Sequence, residues 1–131
     1  MKGGVRSAEV TFHIHATEDD GKILRALAQE LGLDPLKVTR TAAEGHFGNP
    51  IAVCGVSVDG EEGETLLRTV LAKLGPGDLE ELRSAPAGRL EEGKFFHVRL
   101  DKQAMVMGGV KLGYADPVKL RFRLAAGVSP V

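Results

Sequence analysis

Hydrophobic and polar residues alternate through Glu9-Val10-Thr11-Phe12-His13-Ile14-His15-Ala16. Val10, Phe12, Ile14 and Ala16 fall on one side and Thr11, His13 and His15 on the other, which is the two-residue period of a half-buried strand. Thr17 then has the chemistry of a helix N-cap, with Glu18, Asp19 and Asp20 in the first turn, where carboxylates suit the positive end of the dipole. Ile23, Leu24, Leu27 and Leu31 recur at helical spacing, and Gly32 marks the stop. After the Asp34-Pro35 turn, Val38 to Ala43 reads as a second strand and Gly45 to Pro50 as a loop or hairpin tip. Ile51 to Val58, rich in β-branched residues, is a third strand that ends at Asp59-Gly60.

From Glu62 the period turns helical, with Leu66, Leu67, Val70, Leu71 and Leu74 on one side, until Gly75-Pro76-Gly77. Asp78 caps a short helix through Arg83, and Ser84 to Gly93 reads as an exposed loop. Phe96, Val98 and Leu100 alternate with Phe95, His97 and Arg99. Asp101 caps a helical turn through Met107, broken by Gly108-Gly109. Val118, Leu120, Phe122 and Leu124 alternate with Lys119, Arg121 and Arg123 in the cleanest two-sided strand of the chain. The order β-α-β-β-α-α-β-(short α)-β predicts one α+β domain over residues 1–131. It should be an antiparallel or mixed sheet with helices on one face, and residues 1–7 and 126–131 should form flexible tails.

Composition narrows the class. The chain has 131 residues, 43% hydrophobic and 27% charged, which suits one globular core and excludes a disordered chain. No apolar stretch approaches the ~20 residues that span a bilayer, and the N-terminus lacks the apolar run of a signal peptide, so no membrane and a cytoplasmic address are expected. Cys54 is the only cysteine, which excludes an internal disulfide. The net charge of −1 hides a polarity: −6 up to Glu92 and +5 from Gly93 onward. Such a split suits an anionic partner if the basic residues share a face, and equally suits a solvated surface.

Lys119, Arg121 and Arg123 stand about 7 Å apart along one side of the last strand. If the strand beginning near Lys94 pairs with it, His97 and Arg99 join them, giving a surface able to follow a phosphate backbone. The alternative is a solvent-facing strand whose Lys and Arg deter edge pairing. Gly93 to Arg99 lacks the small residues of an RNA-recognition motif, and Phe95 alone is placed to stack on a base, so recognition by backbone charge and shape is favoured. His13 and His15 are spaced to point the same way, as two zinc ligands would, but no Cys-x-x-Cys or His-Glu-x-x-His pattern accompanies them. No metal, cofactor or catalytic residue is expected, and Cys54 reads as a small core hydrophobe. His46 and Asn49 sit in a loop, where binding residues gather.

Three stretches, His15-Ala16-Thr17-Glu18, Glu44 to Ile51 and Arg99-Leu100-Asp101-Lys102-Gln103-Ala104, carry a family resemblance. In order and spacing the chain resembles, from about Val10 to Arg123, a family of small archaeal proteins known as RNA-binding proteins and predicted exosome subunits. The resemblance implies a fold like the large-subunit ribosomal protein that holds 5S rRNA, an archaeal host and no catalytic residues. The motif residues mapping here are His15, Glu18, His46, Asn49, Asp101, Lys102 and Gln103. Lys102 and Gln103 are expected as exposed first-turn residues with free donors beside helix N–H groups. After Ala104 the chain departs from its relatives, with Met105 to Gly109 where they tend to have an aromatic residue. The resulting expectation is a non-catalytic RNA-binding accessory protein, with exosome or ribosome components as further partners. Its contacts would be Lys94, His97, Arg99, Lys102, Gln103, Lys119, Arg121, Arg123, His46 and Asn49. The alternative is an assembly module, a homodimer that binds no nucleic acid.

Overall fold

One face of a six-stranded antiparallel sheet carries the helices, and among the described residues the other lies open. The computed structural model describes residues 4–84, 90–91 and 94–128. The strands are β1 (Val5–His15), β2 (Thr39–Glu44), β3 (Pro50–Asp59), β4 (Leu90–Glu91), β5 (Phe95–Leu100) and β6 (Val118–Leu124). They lie in the order β2-β3-β1-β6-β5-β4, every pair antiparallel. The helices are α1 (Asp20–Leu31), α2 (Gly60–Lys73), α3 (Pro76–Ser84) and α4 (Lys102–Val106).

The two-residue alternation sets the layers. Val10, Phe12, Phe96, Leu120 and Phe122 are buried on the helix side, against Ile23, Leu27 and Leu31 of α1 and Leu66, Leu67 and Val70 of α2. Each such side chain contributes roughly 1.5–3 kcal/mol by leaving water. α2 packs on β1. Gly63 is buried in that contact, and a Cβ there would stand 3.0 Å from Val5 Cγ1, so its bareness sets how near the helix lies. Leu82 anchors α3 in the same core. No helix among the described residues is long and apolar enough to cross a membrane.

Several boundaries differ from the sequence reading. β1 begins at Val5, so Val5 to Ser7 are strand rather than tail: Val5 and Ala8 are buried, and Val5 N donates to Glu64 Oε1 at 3.3 Å. At the other end, Ala125 N donates to Gly4 O at 2.7 Å and Val128 packs on the core. The outermost parts of the expected tails lie outside the described residues, as does most of the 84–93 loop. Within that loop Leu90 and Glu91 pair with Phe96 and Phe95. The cap of α1 is Asp19, not Thr17: its carboxylate accepts from Lys22 N at 3.2 Å, while Glu18 turns back to accept from His15 N at 2.8 Å. Gly32 ends α1 with φ 70, as a left-handed C-terminal residue does. Asp101 caps α4 by accepting from Ala104 N at 2.9 Å.

Candidate nucleic-acid interface

The pairing of β5 with β6 decides which basic residues share a face. Arg99 stands opposite Lys119, His97 opposite Arg121 and Phe95 opposite Arg123. All six project from the open side, because their neighbours Phe96, Val98, Leu100, Leu120, Phe122 and Leu124 are buried on the other. The expected grouping of His97 and Arg99 with Lys119, Arg121 and Arg123 therefore exists. β1 continues the surface with Glu9 opposite Arg121 and Thr11 opposite Lys119. A shallow depression of about 250 Å³ opens here between Glu9, Thr11, His97, Arg99, Lys119 and Arg121.

These cations are not equivalent. Arg121 Nη1 donates to Glu9 Oε1 at 3.0 Å, and its guanidinium carbon lies 3.8 Å from the centre of the Phe95 ring. Phe95 is thus half-buried under an arginine rather than offered to a base, which corrects its expected stacking role. Cation–π contact and ion pair together fix Arg121 in place. Arg99, Lys119 and Arg123 are exposed and have no ion pair among the described residues. Lys94, also exposed, holds its ammonium 6.0 Å from the Phe95 ring centre.

The motif residues of the other two stretches form a different structure at one end of the sheet. Lys102 is only 2% exposed. Its ammonium donates to His13 O at 2.7 Å, Glu18 Oε1 at 2.9 Å and Asp116 Oδ2 at 2.6 Å. Three donors meet three acceptors, so the expected free donors of Lys102 do not exist, and the residue is structural. Gln103, though exposed, spends its amide on Glu18 Oε2 at 2.9 Å, and Asp101 occupies the N–H of Ala104. His15 Nε2 lies 3.0 Å from Asp116 Oδ2. Burial pushes the Glu18 carboxyl up, but the His15 N–H, the Lys102 ammonium and the Gln103 amide outweigh it and hold it below its usual value.

Asp116 is the residue that sequence reasoning missed, and it adopts the left-handed φ of 51 to reach this cluster. Ligand atoms of His15, Glu18 and Asp116 lie within 4.8 Å of one another, a metal-like grouping, but the Lys102 ammonium already supplies the cation between the carboxylates. His13 and His15, the pair spaced for zinc, meet edge to face with ring centres 6.5 Å apart, and His15 turns to Asp116.

Asn49 is exposed in the β2–β3 loop, whose short helical turn spans His46–Gly48. Phe47 takes φ 59 there, and Gly45 N donates to Asn49 O at 2.6 Å. This loop projects at the same end of the sheet as the Lys102 cluster, since Ile51 lies opposite His15. β1 separates this β2–β3 hairpin from the basic strands, so the structure does not bring Asn49 together with Lys119, Arg121 and Arg123.

A family model described as RNA binding matches residues 7–124. An uncharacterized protein of Methanocaldococcus jannaschii is 28% identical over 120 residues, covering 87% of this chain and 80% of its own. A protein of Pyrococcus abyssi that bears the name RNA-binding protein is 29% identical over 119 residues, covering 86% and 77%. Among solved structures, a protein of Archaeoglobus fulgidus superposes with a TM-score of 0.80 at 27% identity, covering 96% of this chain and 91% of the other.

Proposed function

This chain belongs to the RNA-binding family, and we propose on that footing that it is a non-catalytic protein that holds RNA by its backbone across the open face of β5 and β6. The observation that carries the reading is the register that sets Arg99 beside Lys119 and His97 beside Arg121, with Arg123 one step further along the same face. Exposed cations about 7 Å apart along a strand and about 5 Å apart across it match a run of phosphates on one nucleic-acid strand. Backbone rather than base recognition is favoured because Phe95, the aromatic residue on these two strands' open side, lies under Arg121. Arg121 then acts as a fixed post held by Glu9, and Arg99, Lys119 and Arg123 supply the mobile charge. Lys94 stands at the rim.

The finer role is that of a cytoplasmic accessory factor of the exosome or of ribosomal RNA handling. It is supported by the resemblance of the three motif stretches to predicted exosome subunits and to proteins with the fold of the 5S-rRNA-binding ribosomal protein. In this reading the Lys102 cluster serves RNA indirectly, by fixing the β1, β5 and β6 ends.

A salt titration with labelled RNA tests the proposal, comparing a single strand, a duplex and a structured ribosomal fragment. With three to four cations engaged, log affinity for a single strand should fall with log salt at a slope of roughly −2 to −3. Absence of binding at low salt for all three RNAs would refute it.

A further inference from the structure

The two margins of the sheet are treated differently by the fold. At one, β5 is covered by β4, by a bridge from Leu100 to Leu112, and by Gly113 N donating to Arg99 O at 3.0 Å. At the other, β2 pairs with β3 alone, through six residues without a bulge. Thr39 to Ala42 and Glu44 are exposed, and the strand contains no Lys or Pro to block pairing.

The outward backbone groups of β2 can be identified. Gly45 N donates to Asn49 O, and Pro50, opposite Glu44, has no N–H to give. In an antiparallel ladder, residues alternate between bonding the partner and pointing away. Thr39, Thr41 and Ala43 therefore bond β3, and Arg40, Ala42 and Glu44 present their N–H and C=O groups outward. Among the described residues no hydrogen bond reaches those three from that side.

We propose that β2 pairs edge to edge with β2 of a second copy of this chain. Only outward residues can face outward residues, and the register that pairs all three puts Ala42 opposite the partner's Ala42 on the twofold axis. Arg40 then stands opposite the partner's Glu44, twice by symmetry, so the edge is complementary to itself in charge. Arg40 already bonds Asp20 through Nη2 at 2.9 Å and touches the Cys54 thiol, and its fork of five N–H donors still leaves others to reach across.

The same register sets Leu36, before β2, opposite the partner's Gly48 and so next to its Phe47. Each of these side chains is 93% exposed in the single chain. Apolar contacts at both ends and ion pairs between them give the edge both affinity and a unique register. The twofold axis stands perpendicular to the sheet, so the pair forms one continuous twelve-stranded sheet with both open faces on the same side.

Sedimentation equilibrium over a concentration series reaching hundreds of micromolar tests this without reference to RNA. The wild-type chain should sediment at twice its chain mass. Ala42→Lys, at an exposed position, sets two ammonium groups against each other on the axis and should restore the monomer with unchanged circular dichroism. Glu44→Arg places like charges opposite Arg40 and should raise the dimer dissociation constant about tenfold. A wild-type monomer throughout, or an Ala42→Lys protein that stays dimeric, would overturn the proposal. Either result leaves the RNA reading standing, because salt-dependent affinity is measured separately.

Discussion

Lys102 brings three donors to a buried position, and the chain meets them with acceptors drawn from β1, the β1–α1 turn and the segment before β6. Removing the ammonium leaves two carboxylates facing each other and a carbonyl unpaired. Lys102→Met should therefore cost about 2–4 kcal/mol in urea unfolding, less than a fully buried pair because Asp116 keeps access to water. Lys102→Arg should recover little of this, since a planar fork does not fit a site built around one tetrahedral ammonium. Glu18 makes the cluster sensitive to acid. Its folded value lies below the ordinary value of 4.5, so its contribution is complete above that pH and lost as pH falls through the folded value. Glu18→Gln should thus be less stable than wild type near neutral pH, and the gap should narrow as the pH falls below 4.5; a constant gap would contradict this assignment.

At the scale of elements, Gly113 is the point on which the β5–α4 junction rests. A Cβ there would stand 2.7 Å from Asp101 Cβ and 2.8 Å from Asp101 Cα, so backbone would have to move. Gly113→Ala should cost about 1–3 kcal/mol and loosen the cap that starts α4, measurable as faster amide exchange at Ala104 and Met105. The strands themselves were legible. β6 reads directly because a half-buried strand writes its two faces as alternate letters, Val118-Lys119-Leu120-Arg121-Phe122-Arg123-Leu124. The start of β1 did not read, because Arg6 sits in a bulge between Val5 and Ser7 that interrupts the alternation. Lys102 could not be read from its neighbours: its acceptors His13 and Glu18 lie 89 and 84 positions away, and on a short helix a lysine after a capping aspartate looks solvent-facing. The one available signal was the shared occurrence of His15, Glu18, Asp101, Lys102 and Gln103 in the motif stretches. They converge on one cluster, though not on the exposed one that local chemistry suggested.

At the scale of the whole molecule, the sheet divides the work. Its helix side holds the core, one end is locked by the Lys102 cluster, the β2 margin is open to a second copy, and the open face of β5 and β6 gathers cations. The basic face was legible because two alternating strands needed only the correct pairing to coincide; the covering of Phe95 by Arg121 was not, since it depends on side-chain directions across that pair. The central claim is that this face holds RNA. The most direct measurement is the affinity of the Lys119→Glu, Arg121→Glu, Arg123→Glu triple variant for single-stranded RNA at about 50 mM salt, beside the wild type. All three positions lie outside the core, so the variant should keep its fold by circular dichroism while its affinity falls at least a hundredfold, by an estimate of roughly 1 kcal/mol or more for each reversed charge. A folded triple variant that binds RNA as tightly as the wild type would contradict the account.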